Sequence, residues 1–174
     1  MTPIQCRLRR QLTQARELSE RLLADFQSPH DWTHQVHPAA NHALWFAGHM
    51  AHTDNFFLSI LAPERAKSLG KFTELFGVGS APVDDPAAYP AAEEVTAVMR
   101  ERRAALLALL DTLTDDALTQ PTPPGSPDFL PDFGSVFETA IWHEGVHSGQ
   151  LSLVRRSLGF PPLPAGPNDT APRT

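Results

Sequence analysis

Ile141-Trp142-His143-Glu144-Gly145-Val146-His147-Ser148-Gly149-Gln150 is the stretch that decides how the chain is read. Two histidines four apart share one face of a helix, because 3.6 residues make a turn. Val136, Ala140, Leu151, Val154 and Leu158 recur on the same side at helical spacing, so this side is predicted to be buried. Buried imidazoles need partners for their nitrogens. A divalent metal is the simplest partner two neutral imidazoles can share. Ser135, with Glu138 three residues on, reads as a capping box opening this helix. Arg155 and Arg156 suit its negative end, and Gly159 stops it before Pro161-Pro162.

Three more long helices are expected upstream. Thr2-Pro3 reads as a cap and a first-turn proline. Ile4, Leu8, Leu12, Ala15, Leu18, Leu22 and Phe26 then mark an amphipathic helix that Ser28-Pro29 ends. Asn41 reads as the cap or first residue of a second helix reaching Leu61, apolar over much of its circumference. On it Trp45, His49, His52 and Phe56 form one stripe. Gly48 either admits a neighbour at close range or is a tolerated loss of helix propensity. Residues 62–90 are rich in glycine and proline, with a short helix expected near 71–75. The third helix, residues 90–113, buries Val95, Val98, Met99, Arg102, Leu106, Leu109 and Leu110. Residues 114–133 carry five prolines and read as irregular. The predicted fold is all-α: a four-helix bundle over residues 1–162, with mostly antiparallel neighbours and a long connection between its second and third helices. Residues 163–174 read as a proline-rich tail.

Composition narrows the function classes. The 174 residues carry a net charge of −6 and no basic run, which argues against nucleic acid as a partner. Cys6 is the single cysteine, so no internal disulfide forms and a reducing cytoplasm is expected. Without a basic cluster around it, Cys6 reads as an inert thiol. Neither an apolar signal core nor a membrane span is present in the sequence, so neither export nor a membrane partner is expected.

His143 and His147 read either as interior histidines hydrogen-bonded to backbone or water, or as metal ligands, and a metal held by them needs a third ligand. Of eight histidines, His49 and His52 lie on the most apolar helix and are both candidates, whereas His30, His34, His37 and His42 read as solvated. Three histidine ligands leave coordination positions open, which suits catalysis. The five residues from His143 to His147 also spell H-E-x-x-H, in which a zinc peptidase uses the glutamate as base. Against that reading, the 27 residues after His147 contain no histidine, cysteine or glutamate, and Asp169 is their only acid. Glu144 reads as a base beside the metal or, about 100° round the helix, as a supporting or solvent-facing carboxylate. Trp45, Phe46, Phe56 and Phe57 read as core or as pocket wall. Ser148 and Gln150 are placed to support a ligand imidazole or to meet a neighbouring helix.

Two stretches together resemble the DinB/YfiT-like family: Asn41 through Leu61, above all Trp45-Phe46-Ala47-Gly48-His49-Met50-Ala51, and His143 through Gln150. The resemblance implies a four-helix bundle, commonly a homodimer, with a metal held by His49, His143 and His147. Zinc or nickel suits such a nitrogen donor set. Characterised members of the family include thiol transferases using bacillithiol-type cofactors and a mycothiol-dependent maleylpyruvate isomerase. The isomerase type has a further C-terminal domain, which this chain is not expected to carry. The implied activity is therefore a low-molecular-weight thiol S-transferase, or a hydrolase, acting on a small molecule. The alternative is a metal-binding stress or interaction protein without turnover.

Overall fold

The computed structural model describes residues 1–163, and the described chain is helical. Its helices are α1 (Pro3–Leu23), α2 (Pro29–Thr33), α3 (Ala43–Leu61), α4 (Lys71–Phe76), α5 (Ala92–Leu110), α6 (Asp115–Leu118) and α7 (Phe133–Ser157). The expected tail lies, beyond Leu163, outside the described residues. Among the described residues no helix is long and apolar enough to cross a membrane.

Local chemistry sets the helix ends. Thr2 caps α1, as the sequence predicts, and Gln5 completes a capping box with it. The start of α7 differs from the expectation. Asp132, not Ser135, is the N-cap, and Ser135 closes the box as its third residue. The carboxylate one turn earlier is the stronger acceptor for the free amides. Asn41 likewise yields to His42, whose Nδ1 accepts from the Trp45 amide. Gly159, at φ +88°, ends α7 in the left-handed region that glycine tolerates.

Contacts fix the helix directions. Arg16 meets Glu144, Ser19 meets Ser148 and Asp25 meets Arg155, so α1 and α7 run parallel. Val95 and Met99 join the first half of α3, while Leu106, Leu109 and Leu110 join its second half, so α3 and α5 also run parallel. Gln5 reaches the Leu110 carbonyl and Arg16 the Met99 carbonyl, which sets α1 antiparallel to α5. The bundle is therefore two parallel pairs facing opposite ways, rather than mostly antiparallel neighbours. The long connection over residues 62–90 is what permits the α3–α5 pair, because parallel neighbours need a crossover.

The core comes in two apolar halves. One gathers Leu22, Phe26, Leu44, Trp45, Phe46, Met50, Phe72, Phe76, Met99, Leu151 and Val154. The other gathers Leu8, Leu12, Phe57, Leu58, Leu106, Leu110, Val136, Phe137 and Ala140. Between them every long helix contributes a buried polar residue at the same level: Arg16 and Ser19, Asp54, Arg103, Glu144 and Ser148. Helix α1 is rotated from its predicted stripe to bring Arg16 inward, which leaves Ile4 49% and Leu18 42% exposed. The first half of α3 is covered within one chain, since residues 42–51 are all buried, while Phe56 in its second half is 38% exposed.

Candidate metal centre

Helices α3 and α7 bring His49, His143 and His147 together. One nitrogen from each lies within 4.8 Å of the others, which could hold a metal ion. Nε2 of His49 stands 3.3 Å from Nε2 of His143. Two nitrogens bound at about 2.0–2.1 Å to one tetrahedral zinc stand about 3.4 Å apart, so this spacing fits a shared ion. His52, one turn along α3, is not part of the cluster.

The surroundings set the ring tautomers. Nδ1–H of His49 donates to the Phe76 carbonyl at 2.8 Å, since a carbonyl only accepts. That leaves the Nε2 lone pair facing the cluster. Nδ1–H of His147 donates to Oε1 of Gln150 at 2.9 Å, and the same oxygen accepts from Asn41 at 3.1 Å. Partners of this kind orient ligand imidazoles. Trp45 stacks on His49 with ring centroids 4.3 Å apart and an interplanar angle of 15°. Of the aromatic residues expected to line a pocket, Trp45 thus braces the site and Phe46 is core.

Gly48 explains how the Phe76 carbonyl gets there. A Cβ at Gly48 would fall 2.2 Å from the Phe76 ring, so the missing side chain lets α4 close onto α3. The close neighbour is the short helix of the connection, not a long helix of the bundle. The connection therefore supplies the acceptor that fixes His49.

All three imidazoles are held neutral. Burial, the largest cause, lowers His49 to about 4, with His147 adding to it. Burial and then the two neighbouring histidines lower His143 to about 3. Burial also lowers His147, which Gln150 opposes. Neutral imidazole is the form that binds metal. The pair on α7 is half-buried rather than fully buried, so the cluster opens toward solvent on that side.

Glu144 does not join the cluster. It is completely buried and turned into the polar layer of the core. Arg16 Nε meets its Oε1 at 2.7 Å and Arg103 Nη2 its Oε2 at 2.7 Å. Asp54 completes the layer, with Arg103 Nε and Nη2 both at 2.9 Å and Arg16 Nη2 at 3.1 Å. Burial alone would raise the Glu144 carboxyl, but the two guanidiniums hold it below its ordinary value. Burial opposes the charge on Arg103 too, and Asp54 and Glu144 outweigh it and raise that group. The neighbouring position in H-E-x-x-H points about 100° away from the histidines, here into the core. A completely buried carboxylate paired with two arginines and turned away from the histidines is not placed to activate a water between them, which counts against the peptidase reading.

Sequence reasoning missed Arg16 and Arg103 as the partners of Glu144, and Asp54 as the second carboxylate those arginines share. A signal was present for Asp54 and Arg103, which each interrupt an apolar stripe at mid-helix, but not for Arg16, which lies off the predicted stripe of α1. His42 was also misplaced among the solvated histidines. It is buried at the start of α3, edge-on to Tyr89 with centroids 5.0 Å apart, and burial lowers it to about 4.

Comparison with known proteins agrees with this architecture. A sequence model described as the DinB superfamily matches residues 11–151, which spans α1 through most of α7. No curated protein matches the chain.

Proposed function

The chain belongs to the DinB superfamily, and from that premise we propose that it is a metal-dependent S-transferase joining a low-molecular-weight thiol to a small electrophile. His49, His143 and His147 hold the divalent ion, zinc or nickel, in this reading. Bound there, such an ion lowers the pKa of a thiol or water and orients it. The observation that carries the reading is the fixing of two Nδ1 protons, by Phe76 and Gln150, which aims the lone pairs of His49 and His147 at one point beside His143. Three nitrogen donors leave coordination positions free for a reactant.

The chain's own residues do the positioning. The Phe76 carbonyl and the Gln150 amide keep the ligand tautomers, and Trp45 holds the plane of His49. Glu144 anchors α7 to α1 and α5 instead of moving a proton. With water in place of the thiol the same site is a hydrolase. A second copy of the chain is the proposed macromolecular partner, and sedimentation at twice 19.1 kDa tests it.

Cobalt substitution tests the central reading. The cobalt protein should change its absorption when 2-mercaptoethanol is added, with a sulfur-to-metal band. A response to azide but not to thiol favours the hydrolase. A spectrum that ignores both contradicts the catalytic reading and leaves a closed metal-binding protein.

A further inference from the structure

A cavity of about 300 Å³ opens beside the histidine cluster, with His143 in its wall. Phe56 and Phe57 of α3, Trp142 of α7, Phe129 from the segment before α7 and Val78 from the turn after α4 enclose it. No lysine, arginine, aspartate or glutamate lines it. Its polar atoms come from two threonines, His143 and His52. Three of the large apolar side chains are strongly exposed: Val78 at 92%, Phe129 at 64% and Trp142 at 56%. They come from three separate segments and converge on one opening. The hollow on the other side of His52 and Phe56 is different, lined by Asn55, Ser59, Lys67, Ser68 and Glu74.

We propose that the apolar cavity binds the electrophile itself, an uncharged molecule with an aromatic body whose reactive atom faces His143. This rests on the histidine cluster being the reaction centre. Ligand pockets are mostly apolar hollows of about 300–1,000 Å³, and this cavity sits at the small end of that range with an almost wholly apolar wall. A charged ligand would lose its hydration there without gaining an opposite charge. Flat rings are favoured because Phe56, Phe129 and Trp142 offer ring faces and edges.

Calorimetric titration of the metal-loaded protein with 1-naphthalenemethanol and 1-naphthalenesulfonate tests the proposal. The neutral probe should bind at least about tenfold more tightly than its anionic analogue. Thr53→Trp, which fills the cavity, and Phe129→Ala, which opens its exposed rim, should both weaken the neutral probe and leave metal content unchanged. Equal binding of the two probes, or a neutral probe indifferent to both variants, overturns the proposal. Metal content measured on the same samples separates the two readings. Protein that holds metal at the histidines but shows no preference for the neutral probe contradicts the cavity assignment alone. Protein that prefers the neutral probe but holds no metal supports the cavity and contradicts the metal centre.

Discussion

Helices α3 and α7 carry two polar clusters at one level of the bundle, one turned inward and one toward solvent. The inner cluster of Arg16, Asp54, Arg103 and Glu144 has two positive and two negative charges. Its guanidinium hydrogens also reach the Met99 and Leu12 carbonyls. Such a set is complete without any added partner. The outer cluster of His49, His143 and His147 consists of neutral bases with lone pairs turned toward one another. Imidazoles in that state satisfy each other poorly and a cation well. The difference is in what each cluster can take up: the inner charges already pair with one another, and the outer nitrogens could hold a cation. On α7 the adjacent positions His143 and Glu144 fall into different clusters, because the helix turns about 100° between them.

The comparison breaks most visibly at the inner cluster. Arg103→Ala leaves Asp54 and Glu144 buried with too little positive charge, and should cost about 3–5 kcal/mol in denaturant unfolding. Metal added to that variant should not restore the loss. Glu144→Gln should unfold more easily yet still bind metal, because the glutamate is not a ligand.

The outer cluster should respond to metal and pH instead. At free metal a hundredfold above Kd, binding stabilises by about 2.7 kcal/mol, so chelation should lower the melting temperature visibly. His49 titrates near 4 and His143 near 3 in the fold, against about 6.5 when unfolded. Below about pH 6.5 the unfolded chain therefore binds more protons than the folded one, and stability falls as the pH drops toward those values. Protons also compete with the metal, so the gap between loaded and chelated protein should close on acidification. A variant lacking all three histidines should show no gap at any pH. It should keep part of the acid slope, because His42 is also held near 4.

Two smaller effects sharpen the contrast. Gly48→Ala pushes a methyl against Phe76 and should cost about 1–3 kcal/mol. It should also weaken metal binding, since the Phe76 carbonyl moves with the ring. Gln150→Ala frees the His147 ring and should lower metal affinity about 10–100-fold with little change in metal-free stability. Competition against a chromogenic chelator measures both.

The helices were legible in the sequence because apolar periodicity and proline breaks are local signals. Thr2, the short helix near 71–75 and the stop at Gly159 followed from the same kind of signal. The turning of α1 was not legible. Rotating the predicted stripe toward Arg16 makes sense only once Glu144 and Asp54 are known to be opposite, and those partners lie 128 and 38 residues away. The fate of Glu144 was hidden for the same reason. Its helix position left a base and a supporting or solvent-facing carboxylate open, and the structure places it in none of these settings but among Arg16 and Arg103 in the core. His42 was misjudged because a polar connection was taken as a wet one. The role of Gly48 depended on a helix of the connection that local sequence could locate but not dock.

The central claim is that three named histidines make one metal site, and metal stoichiometry tests it directly. Untagged protein loaded with zinc and freed of excess should contain one ion per chain. His49→Ala, His143→Ala and His147→Ala should each lose most of it, and His52→Ala should keep it. Retention of the ion by the three variants, or its loss from His52→Ala alone, would contradict the account.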